Sequence, residues 1–437
     1  MLQMVFQDHK NLPAIQIGQK ALTYQELFVK IETLALSLAQ RGVNSGLRVA
    51  FVAETTLDSI LCFYALLKIG ASPCLLSTRL PREKIPEYLK ESQSSFFLDC
   101  KTNSVQKCIV DIEPKDTSIL LFTSGSSGFP KLVSLKVEHF LASARGSVER
   151  LRLKKESCYL LSVPLFHVSG LSILFRCLLA GSSIAFTSDF LLASHVSWVP
   201  TQLLRALERK CSFCRLECAL VGGAQISDTL IQLALRKKIP LCLTYGMTEM
   251  ASQITMTRLE DGLFPVHVGK PLPGKEVKIA EDGEILVRGD SLFSGYDSLL
   301  GVQKNLLEGG WFATGDLGAW NKDFNLEYKG RKDNLFISGG ENIYPESIEE
   351  ALGTISGVLQ VVVVPLEDRE FGHRPVAFVH MQGPLLSKEE FYEKLSSLLP
   401  RFSFPIHFFP FPEEILAKSF KVKRLELKNW LGSQFYK

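Results

Sequence analysis

"SILLFTSGSSGFPKL", residues 118–132, reads as an apolar strand that empties into a loop of small and hydroxyl residues ending on a lysine. Between Phe122 and Leu132 stand five Ser, Thr or Lys side chains, two glycines and a proline. Glycine lets the chain turn sharply and lets a ligand approach the main chain. Successive backbone N–H groups in such a loop make a concavity for an anion. Hydroxyls and one ammonium add donors and charge, so phosphate is the guest this loop suits. A Walker loop is excluded, because there Gly-Lys-Ser/Thr must stand in succession. Here Pro130 precedes Lys131 and Leu132 follows it. The competing reading is an ordinary surface loop, and the rest of the chain has to choose.

Around this loop, strand-like runs and amphipathic helices alternate from about residue 20 to 330. "LRVAFVA" (47–53) reads as a strand. "TLDSILCFYALLKIG" (56–70) reads as a helix with Leu57, Ile60, Leu61, Tyr64 and Leu67 on one side and Gly70 as its stop. "YLLSVP" (159–164), "SIAF" (183–186) and "CALVGG" (218–223) repeat the strand-then-turn theme. The expected fold is α/β, with doubly wound, largely parallel sheets, whose ligands gather where loops leave the carboxyl ends of strands. Near 276 the pattern changes. "EVKIAEDGEILVRGD" reads as a hairpin about Asp282-Gly283 and opens a β-rich subdomain that runs to about 330. The charged, glycine-punctuated stretch 328–352 then reads as a junction. After it come "VLQVVVVPL" (358–366), a helix around 387–398 and a basic tail. Two units are expected: a large N-terminal domain, 1–332, and a small α+β C-terminal domain, 333–437.

A net charge of +3 on 437 residues gives no global argument for nucleic acid or a membrane surface. The N-terminus has no n-region and h-region in signal-peptide order, so a cytoplasmic protein is expected. "VSGLSILFRCLLAGSSIAF" (168–186) is long and apolar, but Arg176 sits in its middle and Gly181 breaks it. It reads as buried helix, turn and strand rather than a membrane span. Ten cysteines lie mostly among apolar neighbours and read as reduced thiols. Cys211, Cys214 and Cys218 have part of a zinc spacing but no second ligand pair, so no structural metal is expected there.

Five further stretches carry chemistry. "LVGGAQIS" (220–227) puts two glycines after a strand, where a flat ring can lie on backbone. "LTYGMTEMASQ" (243–253) offers Tyr245 as a stacking face, Thr248 as a hydroxyl and Glu249 as a carboxylate suited to Mg²⁺. "GWFATGDLG" (310–318) places Asp316 in a tight turn, where it suits two ribose hydroxyls. "GRKDN" (330–334) offers Arg331, and "AKSFKVKRLELKNW" (417–430) offers lysines. Taken singly, each has an ordinary reading as a turn, a cap or a solvated helix face. Taken together they supply the parts of an ATP site.

In this order the motifs resemble those of the adenylate-forming superfamily of acyl-CoA synthetases, adenylation domains and luciferases. "LTYQEL" (22–27), "TSGSSGFPK", "YGMTE", "GWFATGDLG", "GRKDNLFISGGENIYPESIE" and the C-terminal lysine carry that resemblance over essentially the whole chain. "LLSVPLFHVSGLSILFR" (160–176), "VSWVPTQLLRAL" (196–207), "GGAQIS" and "TEMASQI" are further similar to the o-succinylbenzoate–CoA ligases of menaquinone synthesis. The resemblance implies an AMP-forming acid–thiol ligase that uses ATP, Mg²⁺ and coenzyme A. Other readings are a ligase for another aryl or medium-chain acid, an enzyme loading a carrier protein, and a nucleotide-binding protein without catalysis.

The resemblance also implies roles. Thr123, Ser124, Gly125, Ser126, Ser127, Gly128 and Lys131 would hold ATP phosphates. Gly222, Gly223, Ala224 and Tyr245 would border adenine. Thr248 and Glu249 would serve phosphate and Mg²⁺, while Asp316 and Arg331 would hold ribose. Asp333 would be the hinge of the small domain, and Gly339 and Gly340 would leave room for the pantetheine arm. The catalytic lysine of such enzymes stands three residues before an arginine, which selects Lys421 ahead of Arg424. The chain departs from the pattern in having Phe420 where a glycine is usual. Lys418 and Lys423 are near competitors. His167 resembles the wall beside the reacting carboxylate, with a core histidine as its ordinary reading. Arg205, or alternatively Arg176, would receive a second carboxylate of the acid.

Overall fold

The computed structural model describes residues 2–18, 20–108, 116–123, 130–186, 191–208, 213–258, 260–264, 266–298, 301–413, 415 and 424–435. Two large mixed sheets dominate the first three quarters of the chain. In the nine-stranded sheet, Ser183–Ala185, Cys158–Leu160, His195–Trp198, Cys218–Gly222 and Leu241–Met247 run parallel, side by side. Its far edge is antiparallel, through Ser252–Met256 and Lys270–Pro271. In the eight-stranded sheet, Ile119–Thr123, Ser72–Leu76, Arg48–Val52 and Phe96–Leu98 form the parallel centre. The α/β expectation therefore describes the sheet centres, and the edges add antiparallel strands.

Helices between the sheets bury their apolar faces in one shared core. The helix Tyr24–Gln40 starts at a reciprocal cap between Thr23 and Glu26, the "LTYQEL" motif read as geometry. Its Tyr24 hydroxyl donates to the carbonyls of Cys177 and Ser182 at 2.8 and 2.7 Å, so a polar group buried in the core is satisfied. The helix Leu57–Ile69 ends at Gly70, in the left-handed region at φ +83°. Its most buried face runs through Ile60, Cys62, Phe63 and Leu66, while Leu57, Leu61 and Leu67 are only half-buried. The burial is rotated from the face expected from the sequence because this helix packs against Tyr24–Gln40 as well as against a sheet. The apolar stretch 168–186 is a helix, Val168–Ala180, a turn at Gly181 and a strand, Ser183–Ala185. Among the described residues no helix is long and apolar enough to cross a membrane.

The hairpin expected near 282 is present: Lys275–Ile279 pairs with Glu284–Gly289, and Gly283 turns at φ +83°. With Phe312–Trp320 and Leu326–Arg331 it makes a four-stranded antiparallel sheet. Beyond residue 335, strands Phe336–Ser338, Glu341–Ile343, Val358–Asp368, Gly372–Met381 and His407–Pro410 form a separate five-stranded sheet. The helices Pro345–Gly353 and Lys388–Leu395 contribute buried side chains to its core. This part touches the rest through Ser227, whose hydroxyl donates to the Leu359 carbonyl at 2.9 Å, and through helix Pro345–Gly353 against strand Leu326–Arg331.

Candidate active site

The hydroxyl- and glycine-rich loop joins two neighbouring antiparallel strands. Ile119–Thr123 leads in, Lys131–Leu135 leads out, and Thr123 pairs with Lys131. Ser124, Gly125, Ser126, Ser127 and Gly128 lie outside the described residues. Lys131 projects from the start of the outgoing strand, its Nζ 4.8 Å from the centre of the Tyr296 ring. The Tyr296 hydroxyl in turn donates to Glu249 Oε1 at 2.7 Å. Burial, reinforced by Glu249, pushes the Tyr296 hydroxyl well above its usual pKa, so it remains a donor. Tyr296 thus joins the end of the loop to the candidate metal carboxylate. Nothing in its own neighbourhood of the sequence marks it. The signal is only in space, where strand Gly295–Ser298 pairs with Lys131–Leu135.

Glu249 sits in a short helical turn, Thr248–Met250, at the end of strand Leu241–Met247, and is buried with Thr248 half-buried beside it. The Glu249 carbonyl accepts from Phe293 N at 2.8 Å, which fixes the turn. Among the described residues no group of three or more His, Cys, Asp or Glu side chains is assembled for a metal. One carboxylate still suits Mg²⁺, which typically keeps waters and uses one or two carboxylates plus substrate phosphates.

The second cluster surrounds Asp316. The sequence suggests a tight turn, but Asp316 lies within strand Phe312–Trp320, opposite Arg331. Gly315 at φ +71° bends the strand just before it and lets the Arg331 guanidinium approach. Asp316 is 5% exposed. Its Oδ2 accepts from the Tyr245 hydroxyl at 2.7 Å and its Oδ1 from Arg331 Nη1 at 3.2 Å. Burial raises the Asp316 carboxyl above its usual range, and Arg331 and Tyr245 oppose that shift. For Arg331, burial alone favours loss of the proton, but Asp316 and Asp333 outweigh it and raise the pKa. Tyr328, absent from the expected site, lies against Tyr245 with ring centres 5.8 Å apart.

Gly222 ends strand Cys218–Gly222 and pairs with Thr244, the neighbour of Tyr245. A Cβ at Gly222 would lie 2.7 Å from the Thr244 carbonyl oxygen, so two parallel strands meet there at backbone distance. Gly223, at φ +77°, and Ala224 are exposed just beyond it. The candidate adenine residues therefore share the carboxyl ends of adjacent parallel strands, the usual ligand edge of such sheets.

Asp333 is exposed in the turn Lys332–Asn334 and pairs with Arg331 Nη2 at 2.9 Å. Gly339 and Gly340 form the turn between Phe336–Ser338 and Glu341–Ile343, at φ +58° and +86°. A Cβ at Gly339 would meet the Phe371 ring at 2.8 Å, whereas nothing lies within 4 Å of one at Gly340. Lys421, Lys418 and Lys423 lie outside the described residues. Arg424 opens helix Arg424–Phe435 and forks onto Glu349 at 2.7 and 2.9 Å and onto Glu346 at 2.7 Å. Asn334, next to Asp333, also donates to Glu346 Oε1, at 2.6 Å. One carboxylate thus links the candidate hinge to the end of the lysine segment.

His167 is not a core histidine. It is exposed at the start of helix Val168–Ala180, its ring 4.5 Å from that of Phe166. Arg205 is exposed on helix Pro200–Glu208. Arg176 differs from both. It is 1% exposed, its Nη2 donates to Ser252 Oγ at 3.2 Å, and its Nε has no partner among the described residues. Among the described residues no carboxylate pairs with it. A buried charge without a counter-ion is expensive to keep.

Similarity to known proteins extends over nearly the whole chain. The AMP-binding enzyme family matches residues 2–113 and 99–297. The 2-succinylbenzoate–CoA ligase of Haemophilus influenzae is 36% identical over 429 residues, covering 94% of this chain and 93% of that protein. The ligase of the same name from Escherichia coli is 33% identical over 440 residues, covering 96% of each. A variant of E. coli MenE with bound OSB-AMS superposes with a TM-score of 0.87 at 32% identity, covering 99% of this chain and 98% of that one. The Bacillus subtilis o-succinylbenzoate CoA synthetase in complex with ATP and magnesium ion gives 0.80 at 27% identity, covering 94% and 95%.

Proposed function

The chain belongs to the family of AMP-binding enzymes, and we propose the following roles for its residues in the ligation of 2-succinylbenzoate to coenzyme A. The reaction is ATP-dependent and AMP-forming. A substrate carboxylate oxygen attacks the α-phosphorus and pyrophosphate leaves, giving an acyl-AMP. The thiol of coenzyme A then attacks the acyl carbonyl and AMP leaves. The product is an intermediate of menaquinone synthesis. The observation that carries the site is the convergence of two clusters, Lys131–Tyr296–Glu249 and Tyr245–Asp316–Arg331, near enough that Arg331 acts on the Tyr296 hydroxyl and Glu249 on the Asp316 carboxyl.

In the first half an anion approaches an anion, so cationic groups must face the developing charge. Lys131, Lys421 and the donors of the 123–128 loop supply them on the protein side. Glu249 would hold Mg²⁺ together with phosphate oxygens, and Mg²⁺ when bound neutralises phosphate charge. Asp316 and Arg331 orient the ribose, with Tyr245 and the backbone of Gly222, Gly223 and Ala224 against adenine. His167 borders the reacting carboxylate. For the second half, residues 333–437 form a domain that turns about Asp333, removes Lys421 and brings in Gly339 and Gly340. The need for ATP and coenzyme A points to the cytoplasm, and the described cysteines, none of them paired, fit that compartment.

Gly340 supports a direct test of that exchange. A leucine there is strained at φ +86° and projects into open space. Gly340→Leu is expected to slow thioester formation by on the order of tenfold, with adenylation nearly unchanged. Single-turnover assays would then show acyl-AMP accumulating. Loss of adenylation instead would remove Gly340 from the pantetheine path.

For the acid's second carboxylate, the burial of Arg176, with no carboxylate paired to it among the described residues, favours it over the exposed Arg205. A hydrogen bond to a charged group is worth about 1.5–3 kcal/mol, so Arg176→Met is expected to raise the acid KM roughly 10- to 150-fold. Benzoate and hexanoate, which have no second anion, are expected to be poor substrates in the same assay of pyrophosphate release and thioester mass. Turnover of either acid as efficient as that of 2-succinylbenzoate would overturn the substrate assignment and leave the family standing.

A further inference from the structure

Just past Glu249 the backbone is strained. Ala251 and Ser252 both have positive φ, at +49° and +99°. Neither is glycine, and such conformations persist only where the surroundings impose them. A Cβ at Gly246 would run into the Ser252 carbonyl, so the neighbouring strand leaves no room for relaxation on that side. On the other side stands Lys275, 6% exposed, at the start of strand Lys275–Ile279 in the four-stranded sheet. Its Nζ donates to Ser143 Oγ at 3.0 Å, to the Met250 carbonyl at 3.4 Å and to the Gln253 carbonyl. Three oxygens match the three N–H donors of an ammonium. Among the described residues no carboxylate pairs with it. Its two backbone acceptors lie on either side of the strained pair. Within that pair, Ser252 is the residue whose hydroxyl accepts from Arg176.

We propose that Lys275 is a positioning residue for the acid half of the site: it clamps the 250–253 turn so that Ser252 meets Arg176 while Glu249 stays beside Tyr296. The inference rests on the reading of Arg176 as the anchor of the acid's second carboxylate. Lys275 need not touch the substrate. A buried ammonium that holds only hydroxyl and carbonyl oxygens is costly for the fold to keep. A role in shaping the turn accounts for that cost. Burial, and then Arg176, pulls its pKa well below that of a free lysine.

The test uses the full chain with Lys275→Met, which keeps the apolar stem, and Lys275→Gln, which keeps an amide in the same space. Arg176→Met and the remote core truncation Ile60→Ala run in parallel. Each is assayed with 2-succinylbenzoate, ATP and coenzyme A for the acid KM, the ATP KM and the thermal midpoint. Both Lys275 variants are expected to raise the acid KM by about tenfold or more, with the ATP KM within about twofold, since small misplacements of orienting groups have such effects. Ile60→Ala is expected to lower the midpoint and change neither KM. Unchanged acid KM in the folded Lys275 variants, or equal rises for both substrates, would overturn the proposal, as would failure of both to fold. If Arg176→Met leaves the acid KM unchanged, the reading of the acid anchor falls. If it raises that KM while the Lys275 variants do not, only the present inference falls.

Discussion

Lys421→Ala is expected to cut adenylation by on the order of 100- to 1000-fold, the effect of removing one donor aimed at transition-state charge. The same variant is expected to convert supplied acyl-AMP and coenzyme A to thioester at close to the normal rate. The asymmetry follows from the position of the lysine in the chain. Three residues later, Arg424 is locked to Glu346 and Glu349 on the helix that follows the hinge. On the proposed rotation about Asp333, the helix, Arg424 and with them Lys421 would travel together. A lysine carried in this way serves only the half-reaction for which it faces the phosphates. The measurement is a pair of single-turnover assays, pyrophosphate release from ATP and acid, and thioester formation from acyl-AMP. Equal losses in both would mean that the lysine does not leave, and the exchange of conformations would be abandoned. If Lys418→Ala or Lys423→Ala reproduced the asymmetry and Lys421→Ala did not, the register set by Arg424 would be wrong.

Much of the scaffold can be read along the chain because the signals are local. Thr23 and Glu26 make a helix cap three residues apart, Gly70 and Gly181 stop helices where the apolar period ends, and Asp282-Gly283 turns a hairpin. What could not be read is what depends on strands meeting. Asp316 reads as a turn residue because Thr-Gly-Asp is turn chemistry. It becomes a strand residue only because Leu326–Arg331 pairs with it and Gly315 absorbs the bend. Tyr296 and Tyr328 carry no motif of their own, and their importance comes from Glu249 and Tyr245, 47 and 83 positions away. Arg176 is named by the sequence as a candidate partner of the acid, but its burial with no carboxylate partner among the described residues is seen only in space; Lys275, in a turn-like stretch with no motif, is hidden altogether.

Asp316→Ala is expected to raise the KM for ATP by on the order of 100- to 1000-fold while leaving most of the fold's stability in place. Each carboxylate oxygen already accepts one bond, from Tyr245 or from Arg331, and each has a further lone pair for a ribose hydroxyl. Two hydrogen bonds to a charged acceptor, at about 1.5–3 kcal/mol each, give an effect of that order even when part is recovered through water. The stability cost is smaller because Arg331 keeps Asp333, at 2.9 Å, and Thr314 O, at 3.2 Å. Tyr245 loses its acceptor, at a cost of about 1–3 kcal/mol for a buried polar group left unmade. Asp316→Asn separates the two contributions. It keeps the volume and one acceptor oxygen, so it should recover most of the thermal midpoint but little of the ATP affinity. Calorimetric titration with ATP, alongside thermal unfolding of all three proteins, measures both quantities. A midpoint that collapsed in the alanine variant while the folded fraction bound ATP normally would make Asp316 a strut between strands rather than the partner of the ribose.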